Sequence, residues 1–327
     1  MALAQSEASR LVPTLGPAAS LAWSTLLGAQ RLVRRGTLPE GPISFAGDAV
    51  AGLKPVTEAA TEALITWSPG SGWGLAPAAQ GEARALLDLY LPLLPRHPGE
   101  TLTLGHLGQS LDGFIATNQG ESCFVTGPEN ILHLHCLRGL CDAVLVGAET
   151  VAADNPRLTT RLVSGDNPVR VVLDPRLRLP AERHVFQDGA SPTLLVRAAG
   201  RAGPQHQGQA EVLTVPATPE GRPRLDALVA ALHQRGLRRL FVEGGGLTVS
   251  SFLAAGLLDR MQVAVAPLLI GTGRRGLSLP ASAALGDCLR PSCRVFRMGE
   301  DILFDCEPRA SASGGEGALP ASLSLIR

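Results

Sequence analysis

Lysine is almost absent: Lys54, in Gly-Leu-Lys-Pro, is alone, so every other member of the 29 basic residues is arginine. A Walker-type phosphate loop needs Gly-Lys-Ser/Thr and is excluded. A Schiff-base lysine would have to be Lys54, whose neighbours supply no apolar pocket to lower its pKa. H-E-x-x-H and G-x-S-x-G are missing, which removes the local signals of metalloproteases and hydrolases. None of the six cysteines (Cys123, Cys136, Cys141, Cys288, Cys293, Cys306) forms a C-x-x-C pair. In a chain of this size they are expected to be reduced, mostly buried thiols in a cytoplasm, with no disulfide and no metal site. No apolar run nears the roughly 20 residues of a membrane span. The start, Met-Ala-Leu-Ala-Gln-Ser-Glu, lacks the pattern of a signal peptide. A formal net charge of zero points to neither nucleic acid nor an acidic membrane as partner.

Aromatic residues make up 4% of the chain and are unevenly placed. Trp23, Trp67, Trp73 and Tyr90, the full set of tryptophan and tyrosine, fall in residues 1–98. There, Leu15–Val33 has apolar residues at helical spacing and ends in Arg31, Arg34 and Arg35, cations suited to a helix C-terminus. Thr57–Trp67 and Glu82–Leu91 read as two more helices, with Ser68-Pro-Gly-Ser-Gly-Trp-Gly74 a loop between them. This segment has no nucleophile–base pair or metal-ligand spacing, and is expected to be dispensable for chemistry. Three prolines in Pro92–Gly99 make a stiff connector and a domain boundary.

Beyond it the pattern alternates. Strands are expected at Leu102–Leu107, Phe114–Ala116, Asp142–Val146, Val169–Asp174, Pro192–Val196, Glu211–Val215, Leu240–Val242 and Met261–Pro267. Helices are expected at Pro128–Leu140 and Leu225–Arg235, with a short one within Gly147–Ala153 and another after Gly246. Alternating β and α units imply a mainly parallel sheet with helices on both faces. Phe296–Met298 and Ile302–Cys306 read as a terminal antiparallel pair. The small polar residues after Pro308 read as a disordered tail, residues 308–327.

The stretch Arg239-Leu-Phe-Val-Glu-Gly-Gly-Gly-Leu-Thr-Val-Ser-Ser251 organises this half. A strand that turns on glycine into a helix points unpaired N–H groups and a positive dipole end at one spot, which suits a phosphate. It equally makes a tight turn with no ligand. The run is not G-x-G-x-x-G, so the dinucleotide fingerprint does not apply. Glu243, at the C-terminal end of a strand, is better placed for chemistry than for packing. Asp154-Asn-Pro-Arg-Leu-Thr-Thr-Arg161 turns on Asn-Pro and ends in Arg161, whose planar fork matches phosphate. Arg138 lies on the preceding helix. Ser110-Leu-Asp-Gly113 puts the Asp112 carboxylate at a break between strands, where a β-turn is the simpler explanation. His133 and His135 face different sides of a helix and read as ordinary satisfied histidines.

Together these stretches resemble a known family. Ser110-Leu-Asp-Gly113, Gly120-Glu-Ser122, Val125-Thr126, Leu137-Arg138, Asp142–Gly147, Thr150-Val151, Asp154-Asn-Pro156, Leu158-Thr159, Arg161, Val242-Glu-Gly-Gly245 and Ala266-Pro267 occur in the order of the reductase domain of the riboflavin-biosynthesis deaminase/reductase, a relative of dihydrofolate reductase. The resemblance covers roughly residues 101–306. It implies a dihydrofolate-reductase-like α/β sheet with a C-terminal antiparallel hairpin (residues 99–307), preceded by a small, mostly helical extension, in a homodimer. It also implies reduction of a ribosylamino-pyrimidine phosphate by NADPH: the glycosylamine ring opens to an imine, and hydride adds at the sugar C1′. NADP(H) would lie against Gly108, Phe124, Thr150, Asp154 and the run Gly245, Gly246, Leu247, Thr248, Val249, Ser250 and Ser251. Ser122, Arg138, Leu158, Arg161 and Glu243 would hold the substrate, the arginines taking its phosphate. Glu243 and Asp112 would be the catalytic carboxylates. Phe124 replaces a common tryptophan, and Phe114 a common basic residue. Residues 1–98 have neither H-x-E nor P-C-x-x-C, so the zinc deaminase half of the family is not in them. Two alternatives stay open: reduction of another heterocycle, such as a dihydropterin or dihydrofolate, and a nucleotide-binding protein without turnover.

Overall fold

The computed structural model describes residues 13–48, 52–57, 60–123, 125–200 and 203–309. The tail expected to be disordered falls, from residue 310 on, outside the described residues. The chain divides into two compact units, Met1–Leu102 with Ile131–Phe241, and Thr103–Asn130 with Val242–Arg327.

The first unit opens with helix α1 (Pro17–Arg35), which has proline in its first turn and closes on Gly36 at φ 65°, a left-handed cap that glycine adopts without strain. Four short strands follow: β1 (Ile43–Asp48), β2 (Gly52–Val56), β3 (Ala63–Ser68) and β4 (Gly72–Leu75). They form an antiparallel sheet in the order β2-β1-β3-β4. Helix α2 (Gly81–Tyr90) completes the extension. The helix expected over Thr57–Trp67 is not seen: among its described residues a turn at Thr61-Glu62 leads into strand from Ala63, the loop expected over 68–74 ends in another strand, and the extension is not mostly helical. Ala63, Ile65 and Trp67 are buried in alternation with half-buried neighbours, a period of two rather than 3.6. Trp67 lies opposite Trp73 in the ladder, their ring centroids 4.9 Å apart, a cross-strand aromatic pair that stabilises a hairpin.

Helix α1 buries two faces. One lies on the small sheet, where a Cβ on Gly47 would come within 2.5 Å of the Leu21 side chain, and one on Gly28 within 2.7 Å of Leu53. The other is the stripe Trp23, Leu27, Gln30 and Arg34, spaced i, i+4, i+7, i+11. It meets what comes after the second unit's β5 (Leu102–Ser110), β6 (Phe114–Thr117) and the start of helix α3 (Pro128–Leu140). Trp23 Nε1 donates to the Ser164 carbonyl at 2.8 Å, and Gln30 Nε2 to the Leu140 carbonyl at 2.7 Å.

The large sheet of this unit uses β7 (Ala143–Gly147), β8 (Val169–Leu173), β9 (Thr193–Ala198) and β11 (Ala210–Val215), paired in parallel in that order. The two-residue β10 (His206–Gln207) closes one edge antiparallel, and β12 (Arg239–Glu243) lies on the other side of β7. Connecting helices α4 (Ala148–Asp154), α5 (His184–Gln187) and α6 (Leu225–Gln234) alternate with these strands. Ala143, Val144, Leu145 and Val146 are all at most 1% exposed, as an unbroken apolar run between two helix layers demands.

In the second unit, helix α7 (Gly246–Ala254) leads into β13 (Arg260–Ala266), which pairs parallel to β5. The hairpin β15 (Ser292–Met298) and β16 (Asp301–Glu307) adds antiparallel to β13. A short β14 (Gly273–Arg275), not expected from the sequence, pairs with β6. Cys293 and Cys306 are directly opposed in the hairpin register and form a disulfide, which corrects the expectation that all six cysteines are reduced thiols. Of the others, Cys136 and Cys141 are buried, Cys123 and Cys288 exposed. No helix among the described residues is long and apolar enough to cross a membrane.

Asp142 ties several of these pieces together. Its Oδ1 accepts from Arg34 at 2.7 Å, and its Oδ2 from the Arg238 and Arg239 N–H groups at 3.0 and 2.9 Å, where β12 begins. Asp142→Ala leaves two backbone donors without that acceptor and is expected to cost about 2 kcal/mol. Urea unfolding checks this; an unchanged midpoint would show that Asp142 does not organise the start of β12.

Candidate active site

His135 and Arg138 are three residues apart on α3 and therefore share a face. Both are buried, at 2% and 7% exposure. Arg138 Nη1 lies 3.5 Å from His135 Nε2 and donates to the Thr159 carbonyl at 3.2 Å. The Arg161 N–H donates to His135 Nδ1 at 2.9 Å, and Arg161 Nη1 to Thr159 Oγ1 at 2.7 Å. Since Nδ1 accepts, the neutral ring carries its proton on Nε2. Burial first, then the guanidiniums of Arg138 and Arg161, push the imidazole down to about 3, so it is uncharged at neutral pH.

The backbone before Arg161 is shaped for this meeting. Asn155 caps α4 at φ 43°, its Oδ1 accepting from the His184 N–H at 2.9 Å. Leu158 holds φ 56° while only 1% exposed. A left-handed non-glycine residue costs on the order of 1 kcal/mol or more and persists only where packing fixes it. Here the fixed turn brings Thr159 and Arg161 back against α3. Of the residues expected at the substrate, Arg138, Leu158 and Arg161 thus belong to one local cluster in the first unit. Of those expected at the cofactor, Thr150 is half-buried and Asp154 exposed on α4. The sequence reading missed His135 and Thr159. The i, i+3 spacing of His135 from Arg138 was the available signal.

In the second unit, β12 delivers half-buried Glu243 to the glycine turn. Gly244 and Gly245 have φ 60° and 72°, and nothing lies within 4 Å of a Cβ built on Gly244. The Gly244 N–H donates to the His106 carbonyl at 3.2 Å. A Cβ on Gly246 would collide with the carbonyl oxygens of Gly276 and Arg275, so close backbone packing requires glycine there. Two positive-φ glycines open α7 with no side chain over its first N–H groups, which fits a phosphate-bearing cofactor. Leu247 is 67% exposed and Thr248 half-buried, whereas Val249 is core. Ser250 Oγ accepts from the Ser278 N–H at 2.9 Å, and Ser251 Oγ donates to the Leu247 carbonyl at 2.7 Å, so both hydroxyls already serve the protein. A Cβ on Gly108 of β5 would lie 2.8 Å from the Thr126 methyl. Ser122 is half-buried in the loop after β6, and Phe124 lies outside the described residues.

Asp112 holds a loop. Its Oδ1 accepts from Ser110 Oγ at 2.5 Å, and its carboxylate takes the Ile270 and Gly271 N–H groups, the latter at 2.6 Å. The Ser110 bond first, then Gly271, lower its pKa. A carboxylate so engaged is a poor candidate for proton transfer and a good clamp of the segment after β13. Among the described residues, no group of three or more His, Cys, Asp or Glu could hold a metal ion.

A mainly parallel sheet with connecting helices and a terminal antiparallel hairpin defines the dihydrofolate-reductase-like class of α/β folds. Residues 104–294 match the RibD C-terminal domain, and the chain belongs to that family. It is 37% identical over 209 residues to the 2,5-diamino-6-ribosylamino-4(3H)-pyrimidinone 5′-phosphate reductase of Methanothermobacter thermautotrophicus, covering 60% of this chain and 93% of that protein. It is 35% identical to the riboflavin biosynthesis protein RibD of Aquifex aeolicus, over 68% of this chain and 62% of that one. The solved structure of Acinetobacter baumannii RibD shares 26% identity and a TM-score of 0.56, over 69% of this chain and 63% of that chain. The chain thus spans less than two thirds of each of these two RibD proteins.

The neutral imidazole has a consequence for stability. An unfolded histidine titrates near 6.5, and the folded one near 3. The unfolded state therefore binds more protons between those values, and His135 makes stability fall as pH drops below about 6.5. His135→Gln is expected to remove one proton from the pH dependence of unfolding over pH 4–6. An unaltered slope in urea titrations across that range would show that His135 is already charged in the folded protein.

Proposed function

We propose that the chain catalyses NADPH-dependent reduction of a ribosylamino-pyrimidine 5′-phosphate to its ribitylamino form, as a cytoplasmic homodimer within riboflavin biosynthesis. The observation that carries this reading is the arginine cluster. The Arg138 guanidinium, an imidazole N–H and the Thr159 hydroxyl are buried beside the exposed Arg161, and that donor set suits a dianionic phosphate arriving from solvent. The names of the relatives support the pyrimidine and the sugar. In this reading Arg138 and Arg161 take the phosphate, Leu158 fixes the turn that presents Arg161, and Ser122 and Glu243 contact the rest of the substrate. Glu243 is the carboxylate nearest the chemistry, and Asp112 acts through the loop it clamps. Gly245–Ser251, with Gly108, Phe124, Thr150 and Asp154, hold the cofactor, the N–H groups available to it lying in the first turn of α7. The cofactor supplies the hydride, and the chain binds, orients and excludes water.

Reduction of a dihydropterin or dihydrofolate on the same scaffold is the second reading, favoured by fold alone. It gives the Arg138–Arg161 pair no task. A nucleotide-binding protein without turnover would have no need for the Glu243 carboxylate.

The test is NADPH oxidation with the diamino-pyrimidinone phosphate, its deaminated counterpart and dihydrofolate, in wild type and Arg161→Ala. A bidentate arginine–phosphate contact is worth roughly 2–4 kcal/mol. Arg161→Ala should lower kcat/KM on the phosphorylated pyrimidine by about 30- to 1000-fold and leave the NADPH KM unchanged. Dephosphorylated substrate should cost wild type most of its efficiency and the variant little more. Turnover of dihydrofolate alone would overturn the proposal, and an equal further penalty in both enzymes would remove Arg161 from the phosphate.

A further inference from the structure

The extension 13–98 has no assigned role, yet one stripe of its first helix touches each piece of backbone that frames the arginine cluster. Trp23 is 2% exposed, and its ring packs where Gly139 passes, one residue after Arg138: a Cβ there would lie 3.1 Å from Trp23 Cζ2. The same indole donates to the Ser164 carbonyl at 2.8 Å. Ser164 belongs to the loop that carries Arg161, and that loop is closed on itself by the Thr160 N–H to Asn167 Oδ1 at 2.8 Å and Thr160 Oγ1 to the Asp166 carbonyl at 3.1 Å. Gln30 binds the Leu140 carbonyl, an acceptor of α3's last turn, and Arg34 pairs with Asp142 just beyond it. Beside Trp23, with ring centroids 5.8 Å apart, Tyr90 of the extension's α2 brings its OH to within 2.6 Å of His133 Nδ1. Helix α3 therefore has two occupied faces, one gripped by the extension and one presenting His135 and Arg138.

We propose that helix α1 is the splint of the phosphate subsite, with Trp23 as its positioning residue: it ties α3 at Gly139 to the Arg161 loop at Ser164 and so sets the distance between the two arginines. The bonds explain why one residue does both. An indole offers a flat apolar body for the bare Gly139 backbone and a single N–H donor for a carbonyl. The extension thereby becomes part of substrate binding without touching substrate, which revises its expected dispensability. The identity of the ligand rests on the proposed function; the splint does not.

The experiment uses the full chain with Trp23→Phe, Trp23→Ala and, from the α1 face on the small sheet, Leu21→Ala. Ring-labelled histidine NMR follows His135 during titration with ribose 5-phosphate, and steady-state assays follow the pyrimidine phosphate. Trp23→Phe keeps the ring and loses the N–H, so affinity should fall roughly 3- to 10-fold. Trp23→Ala also loses the packing and should lose roughly 10- to 100-fold, the scale of a misplaced binding group. The loss should appear in KM for the phosphorylated substrate, with kcat within about twofold, unchanged NADPH KM, and no effect in Leu21→Ala. Folding is checked by circular dichroism, and if the alanine variant unfolds the phenylalanine variant decides. Folded Trp23 variants with wild-type affinity and KM would overturn the splint while leaving the reductase reading intact. Ribose 5-phosphate binding that weakens in the variants, in a protein that reduces no pyrimidine, would sink the reading and keep the splint. No binding and no turnover in wild type would overturn both.

Discussion

Burial, and after it the Arg138 and Arg161 guanidiniums alongside, hold the His135 imidazole neutral. Like charges a few ångströms apart interact too strongly in a partly dry environment for both to ionise, and His135 is 2% exposed. The neutral ring then works as a spacer. Its Nδ1 accepts the backbone N–H of Arg161, which fixes one arm of the cluster, and its Nε2–H is left to the side of Arg138. Repulsion between two guanidiniums is thus balanced by backbone geometry before any ligand arrives. An anion entering such a place meets donors already oriented, and little further ordering is needed to bind it.

That arrangement requires a backbone that cannot relax. Leu158 at φ 56° and Asn155 at φ 43° set the turn from within. Helix α1 holds it from outside: Trp23 and Gln30 of its stripe bond backbone carbonyls, and Arg34 bonds the Asp142 carboxylate. Backbone acceptors at a helix C-terminus have no intrahelical donor, and Gln30 satisfies one of them, the Leu140 carbonyl of α3. The glycine turn after Glu243 is built by a different device. There the chain excludes side chains, with Gly246 pressed against the Arg275–Gly276 backbone, and α7 opens with no side-chain cap. In the proposed reading guanidiniums would take one phosphate and peptide N–H groups another, two chemically distinct solutions.

Legibility in the sequence followed how local each signal was. The strands from Leu102 on were readable because continuous apolar runs such as Ala143–Val146 and Leu240–Val242 admit little else once they alternate with helices. The extension was misread because Thr57–Trp67 carries helix-tolerant residues in its first half, and only pairing with β1 and β4 decides for a strand. Short β14, Gly-Arg-Arg, has no apolar pattern and exists through its partner β6. The disulfide depended on register: Cys293 and Cys306 flank the Gly299–Glu300 turn symmetrically, and nothing in the spacing alone distinguishes this from a hairpin slipped by one residue. At the site, Arg138, Arg161 and the glycine turn were legible through motif order. His135 was not, since a histidine's meaning lies in what surrounds it, and Trp23 lies more than a hundred residues from the loop it fixes.

The central claim is that this cluster is where the substrate's phosphate sits. A crystal structure with the ribitylamino-pyrimidine 5′-phosphate bound tests it most directly. The account places phosphate oxygens at about 2.7–2.9 Å from guanidinium nitrogens of Arg138 and Arg161, with His135 still accepting from the Arg161 N–H. A phosphate bound elsewhere, with the two arginines untouched, would contradict it.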